Sequence, residues 1–429
     1  MIRILKSRET AREEILSRGD NRVPAHVESD VREILRAVRE EGDAAVLKLN
    51  EKFGAPRQAS LLATREEIEE GCAAVEGELL RVLARAKENI EAFHRRQKRE
   101  GFIACERGGI VMGQRILPVA RAGLYVPGGT ASYPSTVLMN AIPAKIAGVP
   151  TLVMATPPGP DGKIAPAILA AAKIAGVDVI VKAGGAQAIA AMAYGTQSVP
   201  RVDKIVGPGN IYVATAKRQV YGQVDIDMIA GPSEILVVAD AQANPAHVAA
   251  DLLSQAEHDR LSSAVLVCDS AALAESVARE IERQLPLLPR ADIARASIEQ
   301  NGKIIVADDL LEGVEIANEL APEHLELCVS DPFALLGAVK NAGSIFLGRN
   351  APEALGDYLA GPNHTLPTLG TARFASPLSV DDFVKKSSYI YYSRDALLSV
   401  KDDIARFARA EGLEAHARSA LIRFEGEDA

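Results

Sequence analysis

The sequence predicts an α/β protein in which helices cover two parallel β-sheets. Short apolar runs of strand length alternate with helix-like segments between residues 120 and 350, and this alternation is typical of parallel sheets. Several runs end at glycine-rich turns. The chain has 429 residues, which exceeds what one hydrophobic core usually supports. We therefore expect two Rossmann-like parallel-sheet domains, with a helical N-terminal region before them and a C-terminal arm after them.

The composition is that of a globular protein with an aliphatic core. Hydrophobic residues make up 48% of the chain and charged residues 24%, and tryptophan is absent. The net charge of −9 argues against nucleic acid as a partner, because binding phosphates requires clustered Lys and Arg. No apolar run approaches the length of a membrane span, and the first residues lack the apolar segment of a secretory signal. The four cysteines are scattered, so we expect a reduced, cytoplasmic setting.

The first hundred residues predict helices. Ser29 is placed to cap a helix whose apolar positions follow at helical spacing, and Thr64 and Glu67 have the spacing of a capping box. Apolar residues between positions 75 and 93 form one long stripe. We interpret that stripe as core or interface and assign it no chemistry.

The stretch after residue 122 predicts a parallel sheet. Strands are expected at 124–126, 151–155, 177–181 and 204–206, with helices at 135–146, 165–175 and 186–193. Glycine-rich turns follow the strands, at the edge where such sheets bind ligands; they are Gly128-Gly129, Gly184-Gly185 and Gly207-Pro208-Gly209. Backbone N–H groups at such turns bind phosphate groups. The spacing Gly-x-Gly-x-x-Gly is absent, so this motif indicates a nicotinamide cofactor only weakly.

The next stretch predicts a second sheet of similar construction. Strands are expected at 235–238, 264–267, 303–306, 325–329 and 344–347, and helices at 245–258 and 271–284. From residue 380 a tyrosine cluster and a helical stretch resemble an appended arm. The predicted domains are an N-terminal helical arm at 1–22, a discontinuous α/β domain at 23–122 and 234–379, a second α/β domain at 123–233, and a C-terminal arm at 380–429.

Two polar stretches place histidines beside carboxylates. They read QAEHD at 255–259 and APEHLE at 321–326, in a chain with only seven histidines. A histidine beside a carboxylate can be a metal ligand or a tuned acid or base, and both uses belong to enzymes. Gln255 continues the apolar stripe of a predicted helix, and His258 lies one turn further on. The plainer interpretation is a buried glutamine whose amide is hydrogen-bonded to a histidine near a helix end.

Glu323 and His324 are expected on a loop that enters a strand. Neighbouring side chains on an extended segment point to opposite sides. The two could therefore act on different faces of one substrate or at different steps. The alternative is an exposed turn with two polar residues.

Two more candidates follow toward the C-terminus. Asp357 lies in a segment punctuated by Gly and Pro, and His416 lies on a helical stretch where a single histidine is most often a surface residue. Together with Gln255 and His258, they could offer two imidazole nitrogens and two side-chain oxygens to Zn²⁺, and Mn²⁺ or Co²⁺ would also fit. Spacing alone does not prove that the four residues converge.

Ordered blocks along the chain resemble one enzyme family. They are GLYVPGG at 123–129, GGAQAIA at 184–190, VGPGN at 206–210, AGPSE at 230–234, QAEHD at 255–259, APEHL at 321–325 and GPNHTLP at 361–367. These blocks make the chain similar to the histidinol dehydrogenase family over nearly its full length. The resemblance implies oxidation of L-histidinol to L-histidine through L-histidinal, with two NAD reduced in sequence. This reaction is the last step of histidine biosynthesis.

The resemblance also implies roles for individual residues. Glu323 and His324 match the catalytic acid/base pair. One zinc per subunit would be held by Gln255, His258, Asp357 and His416, and NAD would contact Tyr125, Gln187 and Asn210. The substrate contacts would be Ser233, His364 and Glu411, together with Gln255, His258, His324, Asp357 and His416. The resemblance further implies a homodimer whose C-terminal arm carries His416 to the zinc of the partner subunit.

Two other functions are the alternatives to this one. A zinc-dependent hydrolase of a small amino-acid-like substrate would use Glu323 or Glu257 to activate a metal-bound water. The chain has no His-Glu-x-x-His motif, and a hydrolase would have no use for a glycine-turn α/β half. A non-catalytic binding protein of two α/β lobes needs no metal cluster and is usually exported.

Overall fold

A computed structural model describes residues 1–18, 23–128 and 132–425 of the chain. Gly129, the second glycine of the first predicted turn, lies outside these residues, as does the predicted border at residue 22. The strands are β1 Arg3–Lys6, β2 Phe102–Arg107, β3 Ile110–Pro118, β4 Arg121–Tyr125, β5 Thr151–Thr156, β6 Val179–Lys182, β7 Lys204–Val206, β8 Asp225–Ile226, β9 Glu234–Ala239, β10 Ser263–Cys268, β11 Lys303–Val306, β12 His324–Cys328, β13 Ser344–Leu347 and β14 Val384–Tyr392.

The α-helices occupy most of the remaining described residues. They are α1 Arg12–Ile15, α2 Ala25–Glu41, α3 Asp43–Lys52, α4 Arg65–Ala73, α5 Gly77–His94, α6 Pro134–Ala147, α7 Pro166–Ala175, α8 Gly185–Tyr194, α9 Ile211–Val220, α10 Pro245–Ala256, α11 Ala271–Gln284, α12 Ala291–Gln300, α13 Leu310–Leu320, α14 Pro332–Leu336, α15 Glu353–Tyr358, α16 Arg394–Leu398, α17 Lys401–Ala410 and α18 Glu414–Leu421. Among the helices in these ranges, none combines the length and apolar character that crossing a membrane requires.

The chain divides into two compact units. The first comprises Met1–Gln97 and Val119–Phe383, and the second Lys98–Pro118 and Val384–Ala429. The first unit contains two parallel sheets, so the predicted α/β class is confirmed. The finer domain borders stay a prediction.

The first sheet has six parallel strands in the order β1-β11-β10-β9-β12-β13. Helices α10, α11 and α12 pack on one face and α13 on the other, and both faces bury aliphatic side chains. Residues 3–6, within the predicted helical arm, form an edge strand instead of a helix. That four-residue strand pairs with β11 and carries no long apolar pattern that would reveal it.

The second sheet has five parallel strands in the order β6-β5-β4-β7-β8. Helices α2, α3, α8 and α9 share a core with one face of this sheet, and α5, α6 and α7 share a core with the other. The helices between residues 25 and 94 therefore pack on this sheet, whereas the sequence prediction grouped them with the six-stranded one. Their apolar stripes fit either sheet in principle, and only the packing distinguishes the two.

The second unit is built on a small antiparallel sheet in the order β14-β3-β2, followed by α16, α17 and α18. The sequence prediction recognised the helices of this arm but not its strands. Strand β14 is mostly exposed, so it lacks the buried apolar run that indicated the other strands.

Candidate active site

Glu323 and His324 lie at the amino end of the six-stranded sheet. His324 is the first residue of β12, and Glu234 is the first residue of the neighbouring strand β9. The glycine-rich turns predicted ligand binding at the carboxyl ends of strands, where parallel sheets usually bind ligands. In this sheet the polar residues of the site gather at the opposite edge. Both side chains are buried, so the alternative of an exposed polar turn is wrong.

The main chain of Glu234 holds both residues. Its N–H donates a hydrogen bond to Glu323 Oε2 over 2.9 Å, and its carbonyl oxygen lies 3.1 Å from His324 Nδ1. A carbonyl oxygen only accepts hydrogen bonds, so Nδ1 carries the proton of a neutral imidazole and Nε2 keeps its lone pair. Burial lowers the pKa of His324 below its usual value, which favours this neutral form.

Two carboxylates face the basic nitrogen of His324. Its Nε2 lies 4.0 Å from Glu353 Oε1 and 3.9 Å from Asp357 Oδ1. Glu353 and Asp357 are four residues apart on α15, so one helix face presents both. Burial raises the pKa of the Asp357 carboxyl well above its usual value, and the charge of Glu353 adds to the effect.

Glu353 is held from two sides. Its N–H donates to Glu326 Oε1 over 2.8 Å, and its Oε2 accepts from Ser254 Oγ over 2.8 Å. Glu326 lies two residues after His324 on β12, so both side chains point to the same face of the strand. The Ser254 bond ties α15 to the end of α10. Sequence reasoning missed Glu353, because no histidine or glycine-rich motif lies beside it.

The end of α10 supplies the pair Gln255 and His258. Gln255 is fully buried, and its Nε2 lies 3.3 Å from His258 Nδ1. The predicted helix to residue 258 ends at Ala256, and His258 follows just beyond it. The proximity of His258 disfavours a positive charge on His324.

His364 closes another side of the cluster. Its Nδ1 lies 3.1 Å from the carbonyl oxygen of Asp357, and its Nε2 lies 3.3 Å from Thr136 Oγ1 on α6. Burial lowers the pKa of His364 to about 4, so the ring is neutral near pH 7. Through Thr136 the cluster reaches a helix that packs on the five-stranded sheet. Ser233 immediately precedes Glu234 at the start of β9.

The donor set fits a divalent metal ion. His324, Glu353 and Asp357 offer ligand atoms that all lie within 4.8 Å of one another. Across the described ranges, three buried polar atoms of the cluster have no hydrogen-bond partner: Gln255 Oε1, His324 Nε2 and Glu353 Oε1. Leaving such atoms unpaired costs about 1–3 kcal/mol each. A metal ion bound at Gln255 Oε1, and a hydrogen-bond donor of a bound molecule facing His324 Nε2 and Glu353 Oε1, would remove that cost. The nitrogen and oxygen donors available here suit Zn²⁺.

The residues predicted to contact NAD lie around the ends of β4, β6 and β7. Tyr125 ends β4, and its hydroxyl accepts a hydrogen bond from the N–H of Gly185 over 2.9 Å. Gln187 is buried on α8, where its Nε2 donates to Asn50 Oδ1 over 3.2 Å. Asn210 caps α9, and its Oδ1 accepts from the N–H groups of Tyr212 and Val213.

At Gly207, after β7, the main chain passes very close to the end of β4. Gly207 has φ of +112°, and a Cβ there would lie 2.1 Å from the carbonyl oxygen of Tyr125. Its N–H donates to Asp227, and its carbonyl oxygen accepts from Lys217 Nζ over 3.0 Å. Only glycine fits, because the position combines a left-handed backbone with this contact.

A cavity of about 740 Å³ lies beside the ends of β4, β5 and β6. Its lining includes Gly128, Thr156, Pro157, Gly159 and Lys182. This volume is within the range of small-molecule and cofactor pockets. Among the described glycines of the predicted turns, Gly128 lines this cavity, at the edge where parallel sheets bind ligands. Tyr125, Gln187 and Asn210 do not line it.

Comparison with known proteins decides the family. A family model described as histidinol dehydrogenase matches residues 17–424. Histidinol dehydrogenase of Bacillus cereus is 55% identical over 413 residues, covering 96% of this chain and 96% of that protein. That of Syntrophotalea carbinolica is 57% identical, covering 96% and 95%. The chain belongs to the histidinol dehydrogenase family.

Structural similarity agrees with this membership. The crystal structure of histidinol dehydrogenase from Elizabethkingia anophelis has a TM-score of 0.94 at 36% identity, and the match covers 100% of this chain and 99% of that one. Histidinol dehydrogenases are NAD-dependent enzymes of the final step of histidine biosynthesis, so the predicted family and enzyme class are confirmed.

Two residues of the expected histidinol dehydrogenase site belong to the second unit. Glu411 follows α17, His416 lies on α18, and both are exposed within that unit. Their roles stay predictions. Within the first unit, Glu323, His324, Asp357 and His364 lie in one cluster, and the end of α10 carries Gln255 and His258 beside it.

Proposed function

We propose that the protein oxidises L-histidinol to L-histidine through L-histidinal in two successive NAD-dependent hydride transfers. The observation that supports this most is the pair Glu323 and His324, which the main chain of Glu234 holds at 2.9 and 3.1 Å. One residue is a neutral imidazole and the other a buried carboxyl group. Two proton acceptors side by side suit a reaction that removes two hydrides from the same carbon.

His324 serves the first oxidation. NAD, when bound, accepts the hydride that leaves the alcohol carbon. As the hydride leaves, Nε2 of His324 takes the hydroxyl proton, and the C–O bond becomes a carbonyl. The neutral tautomer fixed by Glu234 leaves this nitrogen ready to accept a proton.

Glu323 serves the second oxidation. The aldehyde must first add water, because an aldehyde has no C–O–H group to deprotonate while a hydride departs. Burial raises the pKa of the Glu323 carboxyl well above its usual value, and the charges of Glu234, Asp357 and Glu353 add to the effect. Its carboxylate is therefore a stronger base than an exposed one and is suited to take a proton from that water. The resulting hydrate would then give its hydride to the second NAD. With the loss of its remaining acidic protons, it becomes the carboxylate of histidine.

Gln255, His258, Asp357 and His416 would hold Zn²⁺, although Mn²⁺ or Co²⁺ could replace it. When bound there, the metal would give the imidazole and amino nitrogens of the substrate a fixed point, and this would orient the reacting carbon. The unpaired Oε1 of buried Gln255 supports its part in this set. His416 would come from the C-terminal arm of the partner in a homodimer.

The other predicted contacts are divided between NAD and the substrate. Tyr125, Gln187 and Asn210 would bind NAD at the turns of the five-stranded sheet. Ser233, His364 and Glu411 would contact the substrate. The neutral ring of His364 would lie against the substrate without adding positive charge beside the metal. We propose a cytoplasmic location, in keeping with a biosynthetic enzyme and with thiols that form no disulfide among the described cysteines.

One assay tests the function. Purified protein is mixed with L-histidinol and excess NAD, NADH is followed by absorbance, and histidine is measured at the end. We expect two NADH for each histidine formed and loss of activity on prolonged incubation with a chelator, with recovery when Zn²⁺ is added. A zinc hydrolase or a binding protein would form no NADH. Absence of NADH from the metal-loaded protein would refute the proposal.

A further inference from the structure

An arginine near the N-terminus contacts two residues, Glu234 and Leu320, whose segments carry the acid/base pair. Arg18 follows α1, and its Nη1 lies 2.5 Å from Glu234 Oε1. The second terminal nitrogen of the same guanidinium donates to the carbonyl oxygen of Leu320. One side chain thus joins Glu234 and Leu320, which are 86 positions apart in the sequence.

Both segments lead directly into the site. Glu234 holds Glu323 and His324 through its own N–H and C=O. Leu320 is the last residue of α13, three positions before Glu323. The intervening Ala321 adopts a left-handed conformation with φ of +46°, which is costly for a residue with a Cβ. A hydrogen bond to Leu320 at the edge of this strained turn limits how far the turn can relax.

The Arg18–Glu234 ion pair is too buried to be a simple surface contact. The side chain of Glu234 is 8% exposed and that of Arg18 is 22% exposed. Buried ion pairs contribute little net stability, because both charges lose their water. A guanidinium that donates in two directions does fix the geometry of what it joins. The ion pair is therefore better explained by its role in holding Glu234 and Leu320 in place than by a contribution to the stability of the fold.

The segment that carries Arg18 is itself anchored. Lys303 on β11 is buried, and its Nζ donates to the carbonyl oxygens of Ile15 and Ser17 over 2.5 and 2.7 Å. These bonds fix the main chain on both sides of Leu16. The guanidinium of Arg18 is thus delivered from a held backbone to Glu234.

We propose that Arg18 is a positioning residue for the oxidation reaction. Its guanidinium holds Glu234 and the carbonyl of Leu320 so that Glu323 and His324 keep their placement relative to the substrate. This inference rests on the proposed roles of Glu323 and His324. The hydrogen bonds that Arg18 makes go to Glu234 and Leu320, so it acts through the segments that carry Glu323 and His324.

The test replaces Arg18 and attempts to restore it chemically. We expect Arg18→Ala to lower kcat about 10- to 100-fold, the range expected when reacting groups shift by a fraction of an ångström to one ångström. KM for NAD and the metal content should stay unchanged, because neither depends on this contact. Guanidinium chloride at millimolar concentration should restore part of kcat by occupying the space, and Arg18→Lys should retain more activity than Arg18→Ala.

The matched control is Arg12→Ala. Arg12 precedes Arg18 on the same segment and pairs with Glu319, the neighbour of Leu320, at the surface. We expect kcat of this variant to equal that of the unsubstituted protein and guanidinium to have no effect on it. If Arg18→Ala proves too unstable to assay, Glu234→Ala removes the acceptor of the guanidinium but keeps the main-chain N–H and C=O, and it should show a similar fall in kcat with unchanged KM for NAD.

Three outcomes separate this inference from the proposed function. If the unsubstituted protein forms NADH from histidinol and folded Arg18→Ala has the same kcat, the positioning role is refuted while the function stands. A fall in kcat that guanidinium and Arg18→Lys both fail to reverse also refutes it, because the loss would then be general damage. If the unsubstituted protein forms no NADH, the proposed function itself fails.

Discussion

At the scale of single residues, the site depends on how one backbone unit fixes two side chains. The N–H of Glu234 holds the Glu323 carboxyl, and its carbonyl selects the tautomer of His324. The sequence indicated the two side chains, because a histidine beside a carboxylate is uncommon in this chain. It could not indicate Glu234 or Glu353 as their partners, since both come from distant segments that only the fold brings near.

Glu323→Gln should separate the two oxidations. The amide cannot take a proton from water, so aldehyde oxidation should fall about 100- to 10,000-fold, while alcohol oxidation should fall far less because His324 remains. Stopped-flow measurement of NADH formation from histidinol and from histidinal compares the two steps. His324→Asn is the matched variant and should impair alcohol oxidation first. Equal losses in both steps for Glu323→Gln would contradict the division of roles.

At the scale of elements, apolar runs predicted the two parallel sheets well. Strands β7, β11 and β13 begin and end as expected, because buried parallel strands are continuous apolar runs between polar turns. Strand β14 is mostly exposed and has four polar residues in a row, and Gly113, Gln114 and Arg115 interrupt the apolar residues of β3, so the sequence did not reveal these strands. The sequence placed Glu323 and His324 where the chain enters a strand, and therefore at the amino end of that strand. It could not show that Glu234 begins the neighbouring strand at the same edge, because the order of strands in the sheet is not visible in the apolar pattern.

Lys303 holds the N-terminal segment, and its contribution to the free energy of unfolding should depend on pH. Burial lowers the pKa of Lys303 to about 8, and the nearby Arg3 and Arg18 add to the effect. Between this value and the ordinary 10.5, the unfolded chain binds more protons at this residue than the folded chain does. The contribution of Lys303 to the free energy of unfolding is therefore lowest below pH 8 and rises as the pH increases through this window.

Denaturant unfolding of the unsubstituted protein and of Lys303→Met at several pH values measures this effect. The difference in unfolding free energy between the two should move in favour of the unsubstituted protein by about 3 kcal/mol from pH 7.5 to pH 10.5. Lys145→Met serves as the control, because Lys145 pairs with Asp178 near the surface. A pH-independent difference for Lys303→Met would show that this amine stays protonated in the folded protein.

At the scale of the whole molecule, the assembly lies beyond what the strand and helix pattern can predict. Gln255, His258 and Asp357 belong to the first unit, whereas Glu411 and His416 belong to the second. Composition and periodicity carry no information on which copy of the chain completes a site. The expectation that His416 reaches a partner subunit came from the family resemblance and is open to a direct test.

Mixed dimers provide that test. His416→Asn and Asp357→Asn should each be inactive alone, because each lacks a metal ligand. In a mixed dimer with shared sites, one of the two sites regains all its ligands, so a statistical mixture should recover about one quarter of full activity. Asp357→Asn mixed with Gln255→Ala is the control and should stay inactive, since neither site is complete. No recovery in verified dimers of the first pair would mean that each chain builds its own site.

In the proposed site, one metal ion joins Gln255, His258 and Asp357 beside the acid/base pair. Anomalous X-ray scattering at the zinc edge, recorded from crystals of zinc-loaded protein, tests it directly. We predict one peak per subunit within about 2.0–2.2 Å of a ligand atom of each of these three residues, with His416 as a further ligand. A peak bound by His324 and Glu353 without Gln255 and His258, or no peak in this cluster, would contradict the account.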